Sequence, residues 1–90
     1  MTISTATVPT TKSSAYLQQL CKHFGHKIPV EFTPDRGRIT FEMGVAELEA
    51  AEDALILRVT GDLDRMEAVI ASHLERFAFR EELKVVWIRA

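Results

Sequence analysis

The sequence predicts an α+β fold in which two helices pack on one face of a mostly antiparallel sheet. Two segments repeat apolar residues at spacings of three and four, as amphipathic helices do, and the segments around them alternate apolar with polar residues, as strands do. The chain has 90 residues, 47% of them hydrophobic, which suits one domain over residues 1–90 with a single modest core. The order β-α-β4-α-β buries its apolar faces only when both helices lie on one side of the sheet.

The first ten residues are rich in Thr and Ser, and we expect them to be flexible or to form a weak edge strand. The first helix follows, on a stripe formed by Tyr16, Leu17, Leu20, Cys21 and Phe24. Ser13 or Ser14 is expected to cap its start, and Gly25 is expected to end it in a left-handed conformation.

Four strands, over residues 30–33, 38–43, 46–50 and 55–60, then form a predicted antiparallel meander with turn residues between them. The second helix is predicted over residues 62–79, because Asp62 suits its N-cap and a stripe runs from Leu63 to Phe77. A last strand is predicted over residues 83–88. The spatial order of the strands is left open by the sequence.

Composition excludes several classes of function. Aromatic residues make up 8% of the chain and its formal net charge is -2, so we expect no nucleic-acid binding. No apolar run approaches the roughly 20 residues that span a bilayer, and no secretory signal is seen, so we expect no membrane association and a cytoplasmic protein. The single cysteine fits a reducing compartment. A chain this small is expected to enclose no large cofactor.

Metal binding is suggested by Cys21, His23, His26 and His73, since Cys and His are common metal ligands. On a helix, however, Cys21 and His23 diverge by about 200°, which leaves His23 and His26, with His73 if the fold brings it near. If the two helices run antiparallel, the end of the first faces Leu63. His73 would then lie about 15 Å away, too far to share an ion.

Two further groups are candidate surface sites. His73, Arg76 and Arg80 are spaced three and four apart and could hold an anion on one helix face. The alternative is a solvated face on which Glu75, Glu81 and Glu82 neutralise these residues. Ile56, Val86 and Ile88 are apolar at outward strand positions. If their strands are neighbours, these three residues form a patch for a homodimer or another protein partner.

The segments YLQQLCKHFGHK (residues 16–27), PVEF (residues 29–32) and HLERFAFRE (residues 73–81) resemble a small bacterial family known as domain of unknown function 2218. The resemblance covers nearly the whole chain and brings no settled activity, cofactor or catalytic residue. It implies a place beside, or joined to, flavin-dependent siderophore-interacting reductases, and therefore an accessory role in iron handling.

The leading hypothesis is a non-enzymatic accessory or interaction domain, linked through the resemblance to iron or siderophore handling. The alternative is a protein that binds a metal or an iron chelate through His23, His26 and His73. A third hypothesis, an enzyme that uses the Cys21 thiol, lacks a base at a suitable spacing.

Overall fold

Six strands and two helices form the structure, a computed structural model that describes residues 2–90. In chain order the elements are β1 (Ser4–Pro9), α1 (Ser13–Phe24), β2 (Val30–Phe32), β3 (Arg36–Phe41), β4 (Gly44–Ala50), β5 (Ala54–Gly61), α2 (Leu63–Phe77) and β6 (Ile88–Arg89). This order and the α+β class confirm the prediction. Neither helix has the length and apolar composition needed to cross a bilayer within the described residues.

The strands form one antiparallel sheet in the order β2-β3-β4-β5-β1-β6. The predicted meander is therefore present as β2 to β5. The first strand differs from the expectation, because β1 lies between β5 and β6 rather than at an edge. Its side chains Ala6 and Val8 are completely buried. Pairing on both sides and the burial of Ser4, Ala6 and Val8 hold this Thr-rich segment inside the sheet.

Both helices cover the same face of the sheet, and the core lies between the two layers. The largest fully buried side chains come from both layers and include Leu17, Leu20, Ile39, Leu55, Leu57, Met66, Ile70 and Leu74. These residues occupy the helix stripes and the inward strand positions that periodicity predicts. The opposite face of the sheet carries no helix, so its side chains are left to solvent or to a partner.

The start of α2 agrees with the sequence prediction, since the Asp62 carboxylate accepts a hydrogen bond of 3.3 Å from the Arg65 amide. The predicted caps of α1 are wrong. The Ser13 hydroxyl donates to the Ala51 carbonyl at 2.5 Å instead of capping the helix, and Ser14 likewise donates to a loop carbonyl, that of Pro34. Gly25 has a φ of -63°, in the right-handed region, because the chain continues into a further turn.

The end of α2 and the final strand are both shorter than predicted. The helix ends at Phe77, not at residue 79, and of the expected strand only Ile88 joins the sheet, together with Arg89, which follows it. Between them the chain turns, with Glu82 at a φ of +51°. The predicted alternation survives without strand pairing, because Leu83, Val85 and Trp87 still pack against the core.

Candidate functional site

The imidazole rings of His23 and His73 lie against each other, with their centroids 5.0 Å apart. The expectation of about 15 Å is therefore wrong. The first half of α2 lies over the sheet, where Met66 is close to Gly44 of β4. The later turns of α2, rather than its start, therefore reach the end of α1 and bring His73 to His23.

Phe24 and Phe77 pack against the two imidazoles, and Phe41 packs against Phe24. We call the five rings the ring cluster: His23, Phe24, Phe41, His73 and Phe77. The Phe24 centroid is 4.9 Å from that of His73 and 5.1 Å from that of Phe41. The Phe77 centroid is 5.6 Å from that of His23. His23 is exposed and the other four side chains are half-buried. The cluster is therefore an accessible aromatic surface rather than part of the closed core.

A hydrogen bond to the backbone orients the His73 ring. Its Nδ1 lies 2.7 Å from the Val69 carbonyl oxygen, one helical turn earlier. Since a carbonyl oxygen only accepts, Nδ1 carries the proton in this contact. In the neutral tautomer that results, the lone pair is on Nε2, which is the usual arrangement for an imidazole that accepts a hydrogen bond or binds a metal.

The surroundings of His23 are cationic. Partial loss of solvent lowers the pKa of His23, and nearby positive groups lower it further, namely His73, His26, Arg76 and Lys27. Positive side chains at helix C-termini are favoured by the helix dipole. This effect explains why an individual basic residue occurs near either helix end. Together at the meeting point of two helix ends, these side chains give a locally positive surface on a chain whose net charge is -2.

The residues of the predicted metal site are only partly brought together. The structure adds His73 to His23, while His26 is exposed beyond the end of α1 and contributes charge. Cys21 is completely buried, and burial raises its pKa to about 11. Within residues 2–90, no group of three or more His, Cys, Asp or Glu side chains is arranged to hold a metal ion.

The predicted anion site also changes, because Arg80 lies beyond the last residue of α2. Its guanidinium sits 5.5 Å from the centroid of the neighbouring Phe79 ring. His73 and Arg76 remain on the helix and act together on His23. The metal and anion candidates therefore overlap in a single surface, centred on His23 and His73.

The neighbouring glutamate Glu81 is held away from this surface. Its carboxylate accepts hydrogen bonds from the Tyr16 hydroxyl and from Thr10, the latter at 2.9 Å. These bonds, that of Tyr16 foremost, lower the pKa of Glu81 below its ordinary value. The sequence predicts that Glu81 helps to neutralise Arg76 and Arg80, but in the structure its carboxylate bonds to Tyr16 and Thr10 instead.

A second carboxylate network fixes the last strand. Arg89 donates to the Glu67 carboxylate at 3.0 Å and to Asp64 at 2.6 Å, and the Ser4 hydroxyl also donates to Glu67 at 2.5 Å. These contacts tie β6 and β1 to α2.

The three outward apolar residues do not form the compact patch considered from the sequence. Ile56 pairs with Thr7, and Ile88 pairs with Thr5, so β1 separates the two isoleucines. Val86 is 66% exposed but lies outside any strand. Ile56 and Ile88 do share the face of the sheet that carries no helix.

Sequence reasoning missed the phenylalanines of the ring cluster. Periodicity places Phe24 and Phe77 on the apolar helix stripes, and it places Phe41 among the alternating apolar residues of the strand predicted over residues 38–43. Their position at the ends of the predicted elements was the available signal, since side chains there are less deeply covered. Which ends meet is decided by packing, and no local pattern contains that information.

Comparison with known proteins places the chain in a family. A family model described as "Uncharacterized protein conserved in bacteria (DUF2218)" matches residues 5–88. The chain belongs to this family. The segments that carry the sequence resemblance lie within the matched residues, and the family description names no activity.

A solved structure of similar fold supports the fold of the DUF2218 chain. The NMR structure of PA4090 from Pseudomonas aeruginosa is 39% identical, with a TM-score of 0.82, over 98% of this chain and 96% of that one. No curated protein matches the chain significantly. The comparisons therefore establish family and fold and name no activity.

Proposed function

We propose that this protein is a small accessory binding domain whose ring cluster takes an anionic metal chelate with aromatic groups. A ferric catecholate is a chelate of that chemistry, and the family resemblance implies iron handling. The observation that carries the proposal is the contact between His23 and His73 amid cations. It joins aromatic surface, positive charge and available ring nitrogens in one place.

The charge at the cluster favours an anion over a free metal ion. The groups that act on His23 are cations and imidazoles, which would repel a free dication. A chelate carries its own ligands and a negative charge, so it needs from the protein only counter-charges and surface contact. The absence of a three-ligand group within residues 2–90 is compatible with this kind of ligand.

The rings supply the remaining contact area. Flat aromatic groups pack on exposed rings at centroid separations of about 4.5–7 Å, which is the range found within the cluster. Arg76 is exposed at the rim, where it can pair with oxygen atoms of a chelate. A site of this openness fits capture and transfer of a ligand rather than its permanent storage.

The proposal is tested by titrating the protein with a gallium catecholate, a diamagnetic substitute for the ferric chelate, and following the imidazole and phenylalanine signals by NMR. We expect saturable shifts confined to the ring cluster. Arg76→Gln should weaken binding about two- to five-fold, the effect of an exposed charge pair, and His23→Gln should weaken it as well. Arg65→Gln, an exposed arginine near the start of the same helix, is the matched control and should bind normally.

Three outcomes would overturn the proposal. The first is the absence of shifts at stoichiometric chelate, and the second is equal affinity of the Arg76 and Arg65 variants for the chelate. The third is an equal response of the cluster to zinc alone, which would replace the chelate by a free metal ion.

A further inference from the structure

The helix-free face of the sheet carries charges in a regular pattern that follows from the strand register. Glu31 pairs with Arg38, Arg38 with Glu47, and Glu47 with Arg58. These four residues form one row across β2, β3, β4 and β5, with the sign of the charge alternating at every strand. We call it the first charge row.

A second row lies two residues along the strands. Arg36 pairs with Glu49, and Glu49 pairs with Ile56. The alternate residues of these strands, such as Ile39 and Leu48, point into the core, so both rows lie on the face that the helices leave open. This face therefore holds three positive and three negative side chains, on β2 to β5.

We propose that this face binds a second copy of the chain, related by a two-fold axis that runs parallel to the strands midway between β3 and β4. Such an axis places β3 over β4 of the copy and β2 over its β5. Each charge row of one copy then lies over the same row of the other copy. Arg38 then faces Glu47 of the copy and Glu31 faces Arg58. In the second row Arg36 faces Glu49, so every charge on the face meets the opposite charge.

Other two-fold arrangements of the same face lack this property. An axis along β4 places Arg38 over Arg58 of the copy and Glu47 over its own equivalent. An axis perpendicular to the strands and in the plane between the sheets exchanges the two rows, which places Arg38 over Arg36. Like charges then oppose each other, and such contacts are unfavourable. Axes midway between β2 and β3, or between β4 and β5, oppose unlike charges but leave the charges of other strands unmatched. Among axes parallel to the strands, the one between β3 and β4 alone matches all six charges in a self-complementary interface.

The size of the contact sets the expected strength of the dimer. Four strands about 4.8 Å apart, with about five residues each at 3.4 Å per residue, give a footprint of roughly 20 by 17 Å per copy. This is smaller than the roughly 800 Å² that each partner buries in a standard interface. We therefore expect a weak dimer that exchanges rapidly and depends on ionic strength. Ile56 contributes apolar area near its margin, whereas Val86 and Ile88 lie outside the covered strands.

Packed sheets are rotated relative to each other by about 30°. This rotation displaces the outer pair, Glu31 and Arg58, most, and it displaces the pairs formed by β3 and β4 beside the axis least. The decisive variants are therefore Arg38→Glu and Glu47→Arg. Each variant alone places like charges across the axis and should sediment as a monomer of 10.2 kDa. Mixed in equal amounts, they restore opposite charges at both positions and should form a heterodimer.

This complementation separates an interface from an effect on folding, because damage within one monomer is not repaired by mixing. Wild-type protein at low ionic strength should sediment as a concentration-dependent dimer, and it should dissociate at about 1 M salt, where the Debye length is about 3 Å. Arg65→Glu, on α2, is the matched control and should dimerise like the wild type. A wild-type monomer at low ionic strength and high concentration overturns the proposal, as do single variants that still self-associate or a mixture that stays monomeric.

Discussion

His23 and His73 are 50 residues apart in the chain, yet their rings pack 5.0 Å from centroid to centroid at the meeting point of the two helices. Arg76 and Lys27 lie near His23, and the two rings pack with the half-buried Phe24 and Phe77. The contact brings together two predictions from the sequence. His23 and His73 belong to the predicted metal site, and His73 and Arg76 belong to the predicted anion site.

The first prediction concerns the ionisation of His23. Partial burial, and then the electrostatic effect of His73 and of neighbouring basic groups, lower the pKa of His23 below the ordinary value of 6.5. Because the folded state binds this proton more weakly than the unfolded chain does, the stability from His23 is complete above pH 6.5 and decreases as the pH falls towards the folded pKa. His73→Gln should raise the pKa of His23, measured from its ring protons by NMR. An unchanged value would show that the two rings are not coupled.

The second prediction concerns the bond between Tyr16 and Glu81. Burial, and then this hydrogen bond, raise the pKa of Tyr16 to about 12 from its ordinary 10.0. Stability from this group is therefore present below pH 10 and is lost as the pH rises through about 12. Tyr16 is the only tyrosine, so the absorbance of tyrosinate reports it alone. Glu81→Gln should lower the midpoint, whereas Glu82→Gln should not.

Removing the hydroxyl should also destabilise the fold. Tyr16→Phe loses one hydrogen bond of a buried side chain, at a cost of about 1 kcal/mol. For a domain of this size that cost corresponds to a decrease of roughly 4–8 °C in Tm, measured by circular dichroism. A variant as stable as the wild type would mean that the C-terminal turn is not anchored through Tyr16.

The third prediction concerns the Glu67 carboxylate, which anchors the last strand. Hydrogen bonds from Arg89 lower its pKa most, and that from Ser4 adds to this effect. The folded pKa lies below the ordinary 4.5, so the stabilisation is present above that pH and is lost as the pH falls through the folded value. In Glu67→Gln, the free energy of unfolding should decrease less steeply as the pH falls through this acidic range. Glu75→Gln, an exposed site on the same helix, serves as the comparison, and equal acid sensitivity of the two variants would contradict the prediction.

The fourth prediction concerns the thiol of Cys21. It is completely buried, and its pKa is raised to about 11 by burial, so little thiolate is present or accessible near neutral pH. A disulfide reagent should label the native protein far more slowly than the protein unfolded in denaturant. Equal labelling rates of the native and the unfolded protein would contradict this prediction and support the hypothesis of an enzyme that acts through this thiol.

The sequence by itself determined the class of fold, the order of the elements and the composition of the core. Helix stripes and strand alternation depend on the local geometry of the backbone, so each pattern can be recognised from residues that are close in sequence. For the same reason the Asp62 cap was predictable, since donor and acceptor lie within one helical turn.

The position of β1 inside the sheet, the early end of α2 and the joining of His23 to His73 were decided only by the tertiary structure. They depend on how far α2 extends over the sheet before it meets α1, and on bonds such as that between Tyr16 and Glu81, 65 residues apart. Such contacts are selected by the packing of whole layers. Local periodicity places a side chain on a face but leaves open which side chain of another element it meets.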